Sequence, residues 1–152
     1  MKKFLIFMVI IISSLFLTGC GKKEIAVNDF LSVAGRYSYI SEDITNKDKE
    51  NNPKIVQSIS TTNNSDIEIK FIVFEDLNSA FNKYSIIQKE VEKFKQQGYL
   101  FSNVSETNYE SYALNTEENY YYVARLDKTY LYIKGSYKSK DEIVSFVEEI
   151  GY

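Results

Sequence analysis

Asn119-Tyr120-Tyr121-Tyr122-Val123-Ala124-Arg125-Leu126-Asp127-Lys128-Thr129-Tyr130-Leu131-Tyr132-Ile133-Lys134-Gly135 is the stretch from which the fold follows. Tyrosine and β-branched residues dominate it, as they dominate strands, and Asp127-Lys128 interrupts it where a short turn would. With these two residues as the loop of a hairpin, Leu126 pairs with Thr129, Ala124 with Leu131 and Tyr122 with Ile133, all on one face. The opposite face then carries Tyr121, Val123, Arg125, Tyr130, Tyr132 and Lys134. A hairpin of this length specifies antiparallel pairing, and the elements around it must complete a sheet with one buried face.

On either side of the hairpin the pattern alternates between strand and helix. Residues 99–104 and 109–114 read as strands before it. After it, Ser139-Lys140-Asp141-Glu142 has the form of a capping box and leads into Ile143, Phe146, Val147 and Ile150 at helical spacing, with Gly151 as the stop. Further upstream, Leu77, Ala80, Phe81, Tyr84, Ile87, Val91 and Phe94 keep to one stripe of a long helix that Asp76 or Asn78 can cap and Gly98 ends. Residues 54–61 and 66–75 form two strands about the turn Thr62-Asn63-Asn64-Ser65, and in the second of them Ile67, Ile69, Phe71 and Val73 alternate with polar residues. A first helix spans 28–37 and a short strand 37–44. Residues 45–53, rich in Asn, Lys, Asp and Glu and closed by the only proline, read as a surface loop. The predicted architecture is a single α+β domain over residues 25–152. Its antiparallel sheet has about six strands and its three amphipathic helices cover one face, in the order α-βββ-α-βββ-α.

The first twenty residues carry a different message. Lys2 and Lys3 precede an apolar run from Phe4 to Leu17, and Leu17-Thr18-Gly19-Cys20 closes that run on the only cysteine. A basic start, an apolar middle and small residues before a cut are the parts of a secretory signal. The stretch resembles the signal peptide of bacterial lipoproteins, with an aliphatic residue, a small pair and then Cys. That resemblance implies a signal peptide over 1–19, cleavage after Gly19, a diacylglyceryl thioether on Cys20 and a lipidated tether over 20–24. It places the domain on the extracytoplasmic face of the cell membrane, in a Gram-positive envelope. The domain itself also resembles small lipoproteins of low-GC Gram-positive bacteria. The resemblance lies in the start Ile25-Ala26-Val27-Asn28-Asp29-Phe30, the long helix after Glu75-Asp76, the Tyr-rich hairpin and the closing helix ending Gly151-Tyr152. It implies no role for any residue. The chain departs from the group in having Ala26 where a helix cap is usual, and Asp127-Lys128 where the hairpin turns on Gly or Asn.

Composition narrows the chemistry further. The formal charge is −3 and grows more negative once Lys2 and Lys3 leave with the signal, which argues against nucleic acid as a partner. The chain has no histidine and one cysteine, so histidine-based triads, thiol metal sites and disulfides are excluded, and no cofactor motif is present. Tyrosine and arginine are the side chains that dominate binding surfaces, and Tyr121, Arg125, Tyr130, Tyr132 and Lys134 would share the outward face of the hairpin. The chain thus reads as a membrane-anchored, non-catalytic binding or accessory module of the envelope. The bilayer is its partner through Cys20, and an envelope protein, peptide or wall component is its ligand. The alternative is an envelope hydrolase working through carboxylates or tyrosine, motivated by residues such as Glu106, Glu110, Glu117, Glu118, Asp141 and Glu142.

Overall fold

Seven strands form one antiparallel sheet, with helices packed on both faces. The computed structural model describes residues 22–63, 66–97 and 99–152; the lipid-attachment motif at Cys20, the Asn64-Ser65 part of the expected turn and the expected stop at Gly98 lie outside them. The elements run α1 (Val27–Arg36), β1 (Ile40–Asp43), α2 (Thr45–Lys49), β2 (Ile55–Thr62), β3 (Glu68–Phe74), α3 (Leu77–Glu92), β4 (Phe101–Ser105), β5 (Tyr109–Asn115), β6 (Asn119–Leu126), β7 (Thr129–Ser136) and α4 (Lys140–Ile150). The spatial order is β1-β2-β3-β7-β6-β5-β4. Two meanders, β1 to β3 and β4 to β7, therefore join where β3 pairs with β7, and α3 carries the chain from the middle of the sheet to its far edge.

The central hairpin has the expected register, with Leu126 opposite Thr129, Ala124 opposite Leu131 and Tyr122 opposite Ile133. Asp127 supplies the turn with a φ of 49°, a left-handed conformation that Asp tolerates better than most residues. On the face of Leu131 and Ile133, helices α1 and α4 close the larger core. Phe30 of α1 stacks on Phe71 of β3 with ring centroids 4.6 Å apart, and Phe146 of α4 meets Phe30 edge-on at 6.0 Å. Each large apolar side chain buried in this way contributes about 1.5–3 kcal/mol.

The second face is also core, and here the expectation that helices cover one face is corrected. Helix α3 packs Ala80, Tyr84 and Val91 against Ile72, Phe74, Tyr112, Leu114, Tyr121, Val123 and Tyr130. The cause lies in the strands themselves, because β3, β5 and β6 are apolar on both faces and neither face can be left to water. Asp76 caps α3 by accepting a hydrogen bond from the Ser79 amide at 2.8 Å. The helix is shorter than its periodicity predicts, ending at Glu92, and Leu77, Phe81 and Phe94 of the stripe are about half exposed.

Two local expectations fail. Residues 45–49 form a one-turn helix, α2, where a loop was expected; it buries none of its residues and is held by side chains. Asp43 Oδ1 accepts from the Thr45 amide at 2.9 Å, while Asp48 Oδ2 accepts from Ser58 Oγ at 2.6 Å and pairs with Lys70 Nζ at 2.7 Å. The capping box at α4 does not form, because Ser139 Oγ donates to Asp66 Oδ2 at 2.7 Å and its side chain caps no amide of the helix.

Candidate functional site

Between the second half of α3 and the centre of the sheet lies a cleft of about 600 Å³. The sheet contributes Lys70 of β3 with Tyr130 and Tyr132 of β7. The helix contributes Lys83, Ile87, Glu90 and Val91, followed by Lys93 and Phe94 just past its end. The placement follows from the periodicities. Lys70 pairs with Tyr132, and Ile72 with Tyr130, so alternate residues of two neighbouring strands point to α3. Lys83, Ile87, Glu90 and Phe94, three or four residues apart, form the flank of the helix facing them.

The predicted tyrosine face is divided by this arrangement. Tyr130 and Tyr132 reach the cleft, Tyr130 being 1 % exposed and Tyr132 half-buried. Tyr121 does not line it; its ring stacks on Phe94 with centroids 5.4 Å apart and planes 10° from parallel. Arg125 is 8 % exposed, with Nε donating to Glu110 Oε2 at 3.0 Å. Lys134 lies on a separate cavity of about 240 Å³ with Asn63, Asp66 and Glu68. The outward-facing surface expected of Tyr121, Arg125 and Tyr130 is therefore corrected, since α3 packs over Tyr121 and Tyr130 and Arg125 is buried in its pair with Glu110. Cys20 lies outside the described residues.

Sequence reasoning missed the lysines and the helix flank. Lys70 alternates with core residues in β3 and Lys83 interrupts the apolar flank of α3, but the sequence alone does not bring the two elements together. The two lysines differ in electrostatic state. Lys70 is neutralised by Asp48, whose carboxyl burial pushes up but which the hydrogen bonds from Lys70 and Ser58 hold below its ordinary range. Lys83 has no carboxylate within 4.0 Å among the described residues, and its ammonium stands 6.0 Å from the centroid of the Tyr130 ring. Burial lowers the Lys83 pKa, and the nearby charge of Lys70 lowers it further, against the weaker pull of Glu90 and Asp48.

The tyrosines of the cleft are desolvated phenols. Burial pushes Tyr132 up to about 12 and Tyr130 well above its ordinary value, so both remain protonated at neutral pH. Neither hydroxyl has a hydrogen-bond partner among the described residues. The wall therefore presents an ammonium and two hydroxyls as unmet donors, set in apolar surface from Ile87 and Phe94. Glu90 is the one carboxylate among the described lining residues, whereas a glycosidase-type mechanism needs two flanking the reacting bond. Carboxyls elsewhere that are displaced in titration, Asp43, Asp76 and Glu149, are held low by hydrogen bonds, the reverse of what a general acid needs at neutral pH.

Comparison with protein-family models, with curated proteins and with solved structures found no match to this chain.

Proposed function

We propose that this chain is a lipid-anchored module on the extracytoplasmic face of the cell membrane that holds a ligand in the α3 cleft without transforming it. The observation that carries the reading is the cleft itself, where an unpaired ammonium and unmet hydroxyls are set among apolar side chains in a space of ligand size. The lipid attachment rests on Leu17-Thr18-Gly19-Cys20 and on the basic, then apolar, run before it. No helix among the described residues is long and apolar enough to cross a membrane, and acylation at Cys20 would supply the attachment. Non-catalytic capture is favoured over hydrolysis because the cleft sets cationic and neutral donors, and one acid, against the ligand.

The test is photo-crosslinking in intact cells. A photoreactive residue replacing Glu90, at the rim of the cleft, should capture an adduct that the same residue replacing Glu117, in the β5–β6 loop, does not. Identical adducts from both positions, or none from Glu90, would overturn the reading.

A further inference from the structure

We infer that the cleft binds an amphiphilic organic anion, with Lys83 meeting the charge and Ile87, Phe94 and the Tyr132 ring holding the apolar body. The inference rests on the proposal that the cleft is a ligand site, and it names the class of ligand. With Lys70 balanced by Asp48, Lys83 and Lys93 line the cleft against the single carboxylate of Glu90, in a chain whose net charge is −3. A local cationic concentration in an acidic protein selects for anions at that place.

The lysines are not equivalent. Lys70 already has its counter-ion at 2.7 Å, so adding an anion there gains little. Lys83 is half-buried between α3 and the sheet and has no ion-pair partner among the described residues. An ammonium in that position is unfavourable alone and is completed by one oxyanion, which the free hydroxyls of Tyr130 and Tyr132 can also serve as donors. A compact hydrophilic anion would leave Ile87, Phe94 and the Tyr132 ring against water, whereas an acyl chain or aromatic ring would remove them from it.

Matched acids and amides test this directly. The full lipidated chain, held in phosphatidylcholine nanodiscs, would be titrated calorimetrically with octanoate and octanamide, with 2-naphthoate and 2-naphthamide, and with acetate, each corrected by empty nanodiscs. The acids should bind at least ten-fold more tightly than their amides, and acetate should bind at least ten-fold more weakly than either acid. Lys83→Met should bring acid and amide within two-fold, Lys83→Arg should retain the preference, and Ile87→Trp should abolish binding of both by filling the cleft. Near-UV circular dichroism of the tyrosines checks that each variant is folded. Equal binding of acid and amide that Ile87→Trp still removes would overturn the anion assignment and leave the cleft as the site. Binding unaffected by Ile87→Trp would overturn the cleft as well, and failure of every acid to bind would overturn the assignment of ligand class.

Discussion

Lys83 shows how a single residue can work against the fold. Its ammonium is held below the ordinary lysine range by burial and then by Lys70, while Glu90 and Asp48 oppose the shift. The folded chain therefore binds this proton less tightly than the unfolded chain does. The resulting penalty is fully present below the folded pKa and disappears as the pH rises through the unfolded value of about 10.4. Replacing Lys83 by Met keeps the apolar stem and removes the charge, so it should stabilise the domain at pH 7 by about 0.5–2 kcal/mol, the range of a typical stabilising substitution. The difference from the parent chain should shrink as the pH approaches 10.4, where the parent loses the same charge. Urea unfolding at pH 7 and pH 10 measures both quantities. A variant less stable than the parent at pH 7 would show that the charge is satisfied within the fold, and would remove the reason for assigning it to a ligand.

At the scale of elements, what was legible and what was not can be traced to particular residues. Asp127-Lys128 fixed the hairpin register in advance, because a two-residue turn leaves one pairing and the period of two then assigns every side chain to a face. The alternation of Ile67, Ile69, Phe71 and Val73 placed the face beneath α1 and α4 in the same way. The second buried face carried a signal of its own. Phe71-Ile72-Val73-Phe74 and Tyr120-Tyr121-Tyr122-Val123-Ala124 are unbroken apolar runs, which belong to strands covered on both sides, and tyrosine was read for its polar tip instead of its area. Helix α2 left no such signal, since it is held by contacts from Asp48 to Ser58 and Lys70 that only the folded sheet brings within reach. The cleft was half legible, with Tyr130 and Tyr132 visible in the hairpin and Lys83 hidden in a helix whose partner strand the sequence does not name. Burial now changes the expected cost of mutating the hairpin. Leu131 is 0 % exposed and Tyr130 1 %, on opposite faces. Leu131→Ala should lose about 2–5 kcal/mol and Tyr130→Ala about 3–5 kcal/mol, as measured by denaturant unfolding, because each leaves a cavity under a helix. A Tyr130→Ala variant losing less than about 0.5 kcal/mol, within the range of a surface substitution, would mean that α3 does not cover the hairpin in solution.

For the whole molecule, the tether sets the geometry of the proposed anchoring. The Lys22 carbonyl accepts a hydrogen bond from Asn108 Nδ2 at 2.7 Å, and Lys22 Nζ lies 3.9 Å from the centroid of the Tyr109 ring. Asn108 Nδ2 also reaches Asp127 Oδ2 at 3.3 Å, and the Asp127 amide donates to the Asn108 carbonyl at 2.8 Å. The chain is therefore fastened to the end of the sheet that carries the β4–β5 and β6–β7 turns. Only Gly21 separates Lys22 from Cys20, a reach of about 7 Å at full extension. On the proposed acylation, that end of the domain must face the bilayer, and the β5–β6 loop stands off by the length of β6, about 25 Å at the usual rise per residue. Lys83 lies six residues into α3, about 9 Å along its axis, so the cleft begins above the headgroups and extends away from them. A docked tether and a free one differ in a measurable way. Lys128→Cys, in the β6–β7 turn, and Glu117→Cys, in the β5–β6 loop, each add the one free thiol of a chain whose own cysteine is acylated, and each can carry a fluorophore. In vesicles containing lipids brominated near the headgroup, the label at position 128 should be quenched strongly and the label at 117 little. Equal quenching at the two positions would mean that the domain tumbles on its anchor. The reverse order would mean that the Lys22 contacts give way at the membrane. Because the same pair carrying Cys20→Ala should lose quenching altogether, retention of the signal in that background would show that the domain reaches the bilayer without the lipid.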